Sequence, residues 1–147
     1  MRDGTNSIQA DFALDPRLAG DTHRVGDFEL SRVLLMDDAR FPWLILVPRR
    51  ANLRELIDLD TGDQQRLLAE IDRCARVLRT SDKPDKLNIA ALGNVVEQLH
   101  VHVIARHMQD AAWPRPAWGF GEREPYAPDA RDTRLDALRR ALEISGA

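Results

Sequence analysis

Between Gln98 and Arg106 the chain alternates strictly: Gln98, His100 and His102 share one parity, and Leu99, Val101 and Val103 share the other. This period of two, with β-branched residues, predicts a half-buried strand, because successive side chains leave opposite faces of a strand. Two imidazoles and a carboxamide then stand in a row with aliphatics behind them. A second strand is predicted over 27–36. After a turn at Asp37-Asp38-Ala39-Arg40, the apolar run Trp43–Val47, closed by Pro48, predicts a central strand. The short polar link makes these two an antiparallel hairpin. A further strand is read over Leu87–Leu92, ending at the turn signal Gly93-Asn94.

Three segments carry helical spacing. Phe12, Leu14 and Leu18 predict a short helix within 9–19, ending near Gly20. Leu67, Leu68, Ile71, Cys74, Ala75 and Leu78 form the apolar stripe of a long helix. Its start is read as a capping box at Thr61-Gly62-Asp63-Gln64, and it fades before Lys83-Pro84. Leu135, Leu138 and Leu142 predict a C-terminal docking helix over 132–144. The connector Arg49–Leu59 has room for one helical turn at Leu53, Leu56 and Ile57. This order of elements predicts an α+β fold: an antiparallel sheet of at least four strands, one long crossing helix and a C-terminal helix.

Composition narrows the function class. At 147 residues the chain is read as one domain, 1–147. A net charge of −3 gives no reason to expect a nucleic-acid partner. A single cysteine excludes an internal disulfide and fits a reducing compartment. No apolar run approaches the ~20 residues of a membrane span, and Met1–Thr5 lack a signal-like apolar stretch. The expected location is the cytoplasm, with no membrane partner.

The chain has four histidines, and two of them sit on the alternating strand. Neighbouring imidazoles on a rigid strand can supply a nucleophile and a proton handler near neutral pH. The same pair also suits a metal, provided a third ligand exists. Cys74 falls on the buried helical stripe, His107 has the wrong parity, and His23 is far away in sequence. The segment 113–121 is rich in proline and glycine yet holds Trp113, Trp118 and Phe120, three of the chain's eight aromatic residues. It reads either as a lid on the domain's own core or as a wall for a substrate or a partner subunit.

With these elements in place, the chain resembles the histidine triad (HIT) superfamily over residues 25–120. The family pattern His-x-His-x-His, followed by two apolar residues, stands here as Gln98-Leu99-His100-Val101-His102-Val103-Ile104. The run Leu44–Pro48, the helix 61–80 and the strand at Leu87–Ala90 follow the family's order. The resemblance implies a HIT-like fold and a nucleotidyl or nucleoside-phosphoramidate hydrolase or transferase that needs no cofactor and no metal. Its substrate would be a derivative of a nucleoside monophosphate, with a purine expected. The middle position, His100, would attack the α-phosphorus to form a nucleotidyl-histidine intermediate. His102 would contact the phosphate and leaving group, with Gln98 aligning one imidazole. Asp37 or Asp38 would bind ribose hydroxyls, Asn94 would lie near the phosphates, and Asn88 would line the pocket or organise a strand end; Trp118, from the 113–121 segment, is a further candidate for the substrate wall. Relatives commonly pair, which implies a homodimer, and the rings of 113–121 are counted as a hint of the interface.

Three departures stand out. Gln98 replaces the first histidine and cannot titrate. Trp43 falls where many members carry a further histidine. The loop before the histidine strand shrinks to Leu92-Gly93-Asn94-Val95, which puts dinucleoside polyphosphates in doubt as substrates. The first two departures also motivate a binding protein with weak turnover as the alternative.

Overall fold

The computed structural model describes residues 11–146. Five strands form one antiparallel sheet: β1 (Thr22–Asp27), β2 (Ser31–Met36), β3 (Trp43–Pro48), β4 (Lys86–Ala90) and β5 (Val101–Arg106). Their spatial order is β1-β2-β3-β5-β4. A short helix α1 (Pro16–Asp21) precedes β1, the long helix α2 (Thr61–Asp82) crosses from β3 to β4, and α3 (Pro128–Leu142) closes the chain. The α+β architecture is the one expected. No helix among the described residues is long and apolar enough to cross a membrane.

The sheet separates two apolar clusters. Helices α2 and α3 cover one face, where Val33, Leu35, Leu44, Leu46, Val101, Val103 and Ala105 meet Leu67, Cys74, Leu78, Leu135 and Leu138. Cys74 is buried here as a small hydrophobe, and burial pushes its thiol up to about 12. On the other face, Leu34, Ile45, Val47 and Ile104 pack with Phe41, Trp43, Ala112 and Ala117. The pairing Ile45↔His102↔Ala90 places the second imidazole at mid-sheet on this face.

Several boundaries depart from the sequence reading, each for a local reason. The strand expected over 27–36 begins only at Ser31: Asp27 ends β1, and the chain folds back over 28–30. Phe28 N–H donates to the Ser31 carbonyl at 2.8 Å. The Glu70 carboxylate on α2 accepts from the amides of Leu30 and Ser31, each at 2.9 Å. Burial raises the Glu70 carboxyl above its usual range, against the pull of those amides. Strand β1 escapes notice because its sequence is mixed and its register shifts between Arg24 and Gly26. A Cβ at Gly26 would collide with the Ser145 carbonyl, so glycine is required there by close approach.

The long helix is capped one residue earlier than expected. Asp60 is the cap and accepts from Asp63 N–H at 2.7 Å, while the Gln64 side chain reaches the Leu59 carbonyl instead. The last helix starts at Pro128, with proline in its first turn where no amide partner is lost, and stops at left-handed Glu143. The N-terminal helix begins at Pro16, capped by Asp15, so that Phe12 and Leu14 precede it; residues 9 and 10 lie outside the described residues.

The 113–121 segment folds back on its own sheet. Trp118 and Phe120 pack against the cluster around Trp43 and Phe41. Its anchor is Arg106, fully buried at the end of β5. The guanidinium pairs with Asp110 at 2.7 and 3.0 Å, bonds Asn88 Oδ1 at 3.0 Å, and lies near the rings of Phe41 and Trp113. Burial opposes ionisation of Asp110, but the Arg106 guanidinium and nearby backbone amides prevail and hold its carboxyl at about 2. Trp118 and Phe120 thus cover the chain's own core, and Trp113 lies by the Arg106 guanidinium.

Candidate active site

His100 and His102 sit side by side, with ring centroids 4.9 Å apart, at only 6% and 5% exposure. Regular strand begins at Val101, so His100 lies just before it, but the parity is kept and Leu99 enters the opposite core. The two rings are held in opposite senses. His100 Nδ1 lies 2.6 Å from the Gln98 carbonyl, which can only accept, so Nδ1 carries the proton and the lone pair is on Nε2. His102 Nδ1 lies 3.0 Å from Trp43 Nε1, which can only donate, so here Nδ1 carries the lone pair and Nε2 the proton. Burial, and then the neighbouring His100, lower the His102 imidazole to about 3.

Both rings open into a cleft of about 540 Å³. Leu18 on α1, Met36, Ile45, Leu92, Val96 and Trp118 give it an apolar lining; Asp21 and Asn94 are its polar members besides the imidazoles. Trp118 stands nearly perpendicular to His102, with centroids 5.2 Å apart, and its buried Nε1 has no hydrogen-bond partner among the described residues. Gly93, at φ +76°, makes the turn that brings Asn94 and Val95 to the rim, and Arg17 on α1 ties that rim down through the Val95 carbonyl at 2.8 Å.

A larger groove, about 690 Å³, runs behind Gln98. Its arginines Arg17, Arg50 and Arg54 are ion-paired with Asp15, Asp63 and Glu97 at 3.3, 2.9 and 2.6 Å. Neither imidazole lines it, so the chemistry belongs to the smaller cleft.

The remaining expected site residues divide. Asn94 and Trp118 are at the cleft. Gln98 contributes its backbone carbonyl, but its side chain turns away from both rings. Oε1 accepts from Asp15 N–H at 2.9 Å and Nε2 donates to the Ala13 carbonyl at 2.8 Å. Asp37 and Asp38 do not line the cleft. The chain returning from 121 to 126 crosses the β2–β3 turn and occupies both carboxylates. Asp37 accepts from Tyr126 N–H at 3.0 Å and pairs with His23 at 3.1 Å. Asp38 binds Arg40 at 2.8 and 2.9 Å and accepts from Glu124 N–H at 3.3 Å. Burial opposes ionisation of Asp38, but Arg40 prevails and lowers its carboxyl. Asn88 is committed to Arg106.

Sequence reasoning missed one residue, Asp21, and one contact of a residue it had singled out, Trp43. Asp21 reaches the cleft from the end of α1, a contact no spacing rule could reveal. Trp43 contacts His102 across paired strands; strand parity alone, with Trp43 two residues from Ile45, could have suggested a shared face. Among the described residues, no group of three His, Cys, Asp or Glu side chains could hold a metal ion.

The family model for the HIT domain matches residues 17–109. Three solved structures align at a TM-score of 0.88. The histidine triad protein from Bradyrhizobium japonicum is 50% identical, covering 90% of this chain and 98% of its own. That from Marinobacter aquaeolei VT8 is 44% identical, covering 90% and 96%. That from Sinorhizobium meliloti 1021 is 43% identical, covering 90% and 98%. No curated protein matches the chain. The protein therefore belongs to the histidine triad family, whose members are typically nucleotide-binding hydrolases or transferases.

Proposed function

We propose that the protein is a nucleotide hydrolase or nucleotidyl transferase in which His100 Nε2 attacks the α-phosphorus of a nucleoside monophosphate derivative. The observation that carries this reading is the 2.6 Å contact of His100 Nδ1 with the Gln98 carbonyl. It fixes the ring's tautomer and leaves the Nε2 lone pair available beside the cleft. Attack forms an N–P bond as the leaving group departs with the electrons of its bond to phosphorus, and the imidazolium formed keeps its Nδ1 proton on the Gln98 carbonyl. Water, or another acceptor, then displaces the imidazole, releasing the nucleoside monophosphate or its new ester. The His102 Nε2–H is placed to donate to a phosphoryl oxygen, the electrostatic support that such a transition state needs.

The volume and apolar wall of the cleft suit a purine base, with its phosphate at the imidazoles. Asp21 and Asn94 are the polar groups within it for ribose or phosphate. Trp118 walls the side of His102. A homodimer fits the same reading, because the outer edge of β4 is unpaired among the described residues, Ile89 is exposed on that strand, and Leu56 and Leu68 are exposed at α2. Sedimentation equilibrium at micromolar concentration tests it, and a lone 16.7 kDa species would refute it.

The p-nitrophenyl ester of AMP tests the chemistry. The wild type should release nitrophenolate and accumulate an acid-labile, alkali-stable nucleotidyl adduct. His100→Ala should lose about 10³-fold or more in turnover and form no adduct, while keeping its fold. Wild-type turnover in that variant would overturn the assignment.

A further inference from the structure

The bond from Trp43 to His102 has a chemical consequence. An indole N–H donates and never accepts. With Trp43 Nε1 3.0 Å from His102 Nδ1, a proton on that nitrogen would face another proton. The imidazolium form of His102 therefore cannot exist without breaking the contact. Trp43 is itself held by Phe41 and Trp118, at centroid distances of 6.3 and 6.0 Å with their rings steeply inclined to its own, so it has little freedom to turn aside.

Among the described residues, the surroundings of His102 supply no compensating charge. Along its own segment His102 faces His100, just before β5. Strands β3 and β4 offer Ile45, Trp43 and Ala90. The segment over it offers Trp118. Among the described residues, the one carboxylate on the cleft is Asp21 of α1, ion-paired with Arg123 at 3.1 Å. Burial acts in the same direction as the indole.

We propose that Trp43 is a positioning residue that locks His102 as a neutral Nε2–H donor, so that the site favours nucleotide derivatives whose leaving group departs unprotonated. This rests on the nucleotidyl-transfer reading above and narrows its substrate class. A weakly basic oxyanion, such as a phosphate, a carboxylate or a phenolate, leaves phosphorus with its bonding electrons and needs only the hydrogen bond that His102 offers. An amine must take up a proton on nitrogen before or as the P–N bond breaks. A neutral His102 cannot supply that proton, since losing it would leave an imidazolate. The site is thus suited to mixed anhydrides of nucleoside monophosphates and poorly suited to phosphoramidates.

Nitrogen-15 NMR of the wild-type protein reads the lock directly, independent of turnover. His102 should show a protonated Nε2 and a bare Nδ1, unchanged from pH 8 to pH 5. A protonated Nδ1, or a titration midpoint in that range, would overturn the proposal. Turnover supplies the second arm, with the p-nitrophenyl ester and an alkyl phosphoramidate of AMP as probes. The wild type should favour the ester by about 10²-fold or more beyond the ratio of their uncatalysed rates, the size of a missing general acid. Trp43→His gives His102 a neighbour that can accept or donate, and should raise the amidate-to-ester ratio by about tenfold or more. If the wild type cleaves both at their uncatalysed ratio, the leaving-group preference falls while the functional reading stands. If neither probe is cleaved although the NMR is as expected, the functional reading falls, and the preference with it, while the lock stands.

Discussion

The two faces of the sheet are built on different principles. Behind it, aliphatic side chains from β2, β3 and β5 interleave with α2 and α3, and Glu70 is the buried carboxylate that fastens the β1–β2 turn. In front, an aliphatic floor of Leu34, Ile45, Val47 and Ile104 carries directional aromatic and polar contacts: Trp43 on His102, Trp118 against those two rings, and Arg106 on Asp110. Each aliphatic contact behind the sheet is one of many and non-directional. Each polar group in front depends on one or two named partners with fixed geometry. The rear face holds the fold, and the front face sets protonation and access. A change behind should cost stability and leave chemistry alone, whereas a change in front should alter chemistry or specificity along with stability.

The largest expected break comes at Arg106→Ala, which leaves the buried Asp110 carboxylate without its cation. Loss of about 3–5 kcal/mol is expected, and in the surviving folded fraction the 113–121 segment should loosen. Denaturant unfolding gives the first quantity, and quenching of the segment's tryptophans the second. An unchanged substrate ranking in that variant would show that the segment is only a cover. The rear-face counterpart is Leu44→Ala, at a position with no exposed surface. It should cost about 2–5 kcal/mol with kcat per folded molecule unchanged, and a large fall in kcat would blur the division between faces.

Acid separates the faces next. The folded-state pKa of His102 lies near 3, below its unfolded value of 6.5. The unfolded chain takes up that proton first, so the stability this residue contributes is complete above about pH 6.5 and is lost as pH falls toward 3. About 2 kcal/mol should disappear between pH 7 and pH 5. Glu70 runs the other way: its raised pKa favours the folded state below the usual carboxyl range, and that advantage fades as pH rises. Unfolding curves at pH 7 and pH 5 for wild type and His102→Gln isolate the first effect, and equal pH sensitivity in the two proteins would contradict it.

The smallest effect sharpens the boundary of the site. Gln98→His breaks at least one of the two bonds to the 13–15 backbone, at a cost of about 1 kcal/mol, and should leave the pH dependence of turnover where it was. A new inflection in the pH–rate profile would mean that the new ring turns into the cleft. Reading Gln98 from strand parity alone leads to the opposite expectation, of an altered pH profile, because parity places its side chain beside the imidazoles. The chain is not yet in the sheet at that point, and the N-terminal segment takes up both ends of the carboxamide.

What the sequence determined by itself is what travels with local period. Alternation marked His100 and His102 as neighbours on one face, the apolar stripe marked α2 and its buried Cys74, and the run closed by Pro48 marked β3. Each depends on spacing within one segment, where backbone geometry alone decides which side chains align. The tertiary structure decided the partners. Asp37 and Asp38 look like site carboxylates until the 124–126 amides arrive from almost ninety residues away to occupy them. Asp21 enters the cleft only because α1 packs beside it, and Trp43 acquires a donor's role only because β3 pairs with β5. Hydrogen-bond partnership and burial are set by which segments meet, and for a group whose charge and tautomer depend on its single neighbour, that meeting decides its chemistry.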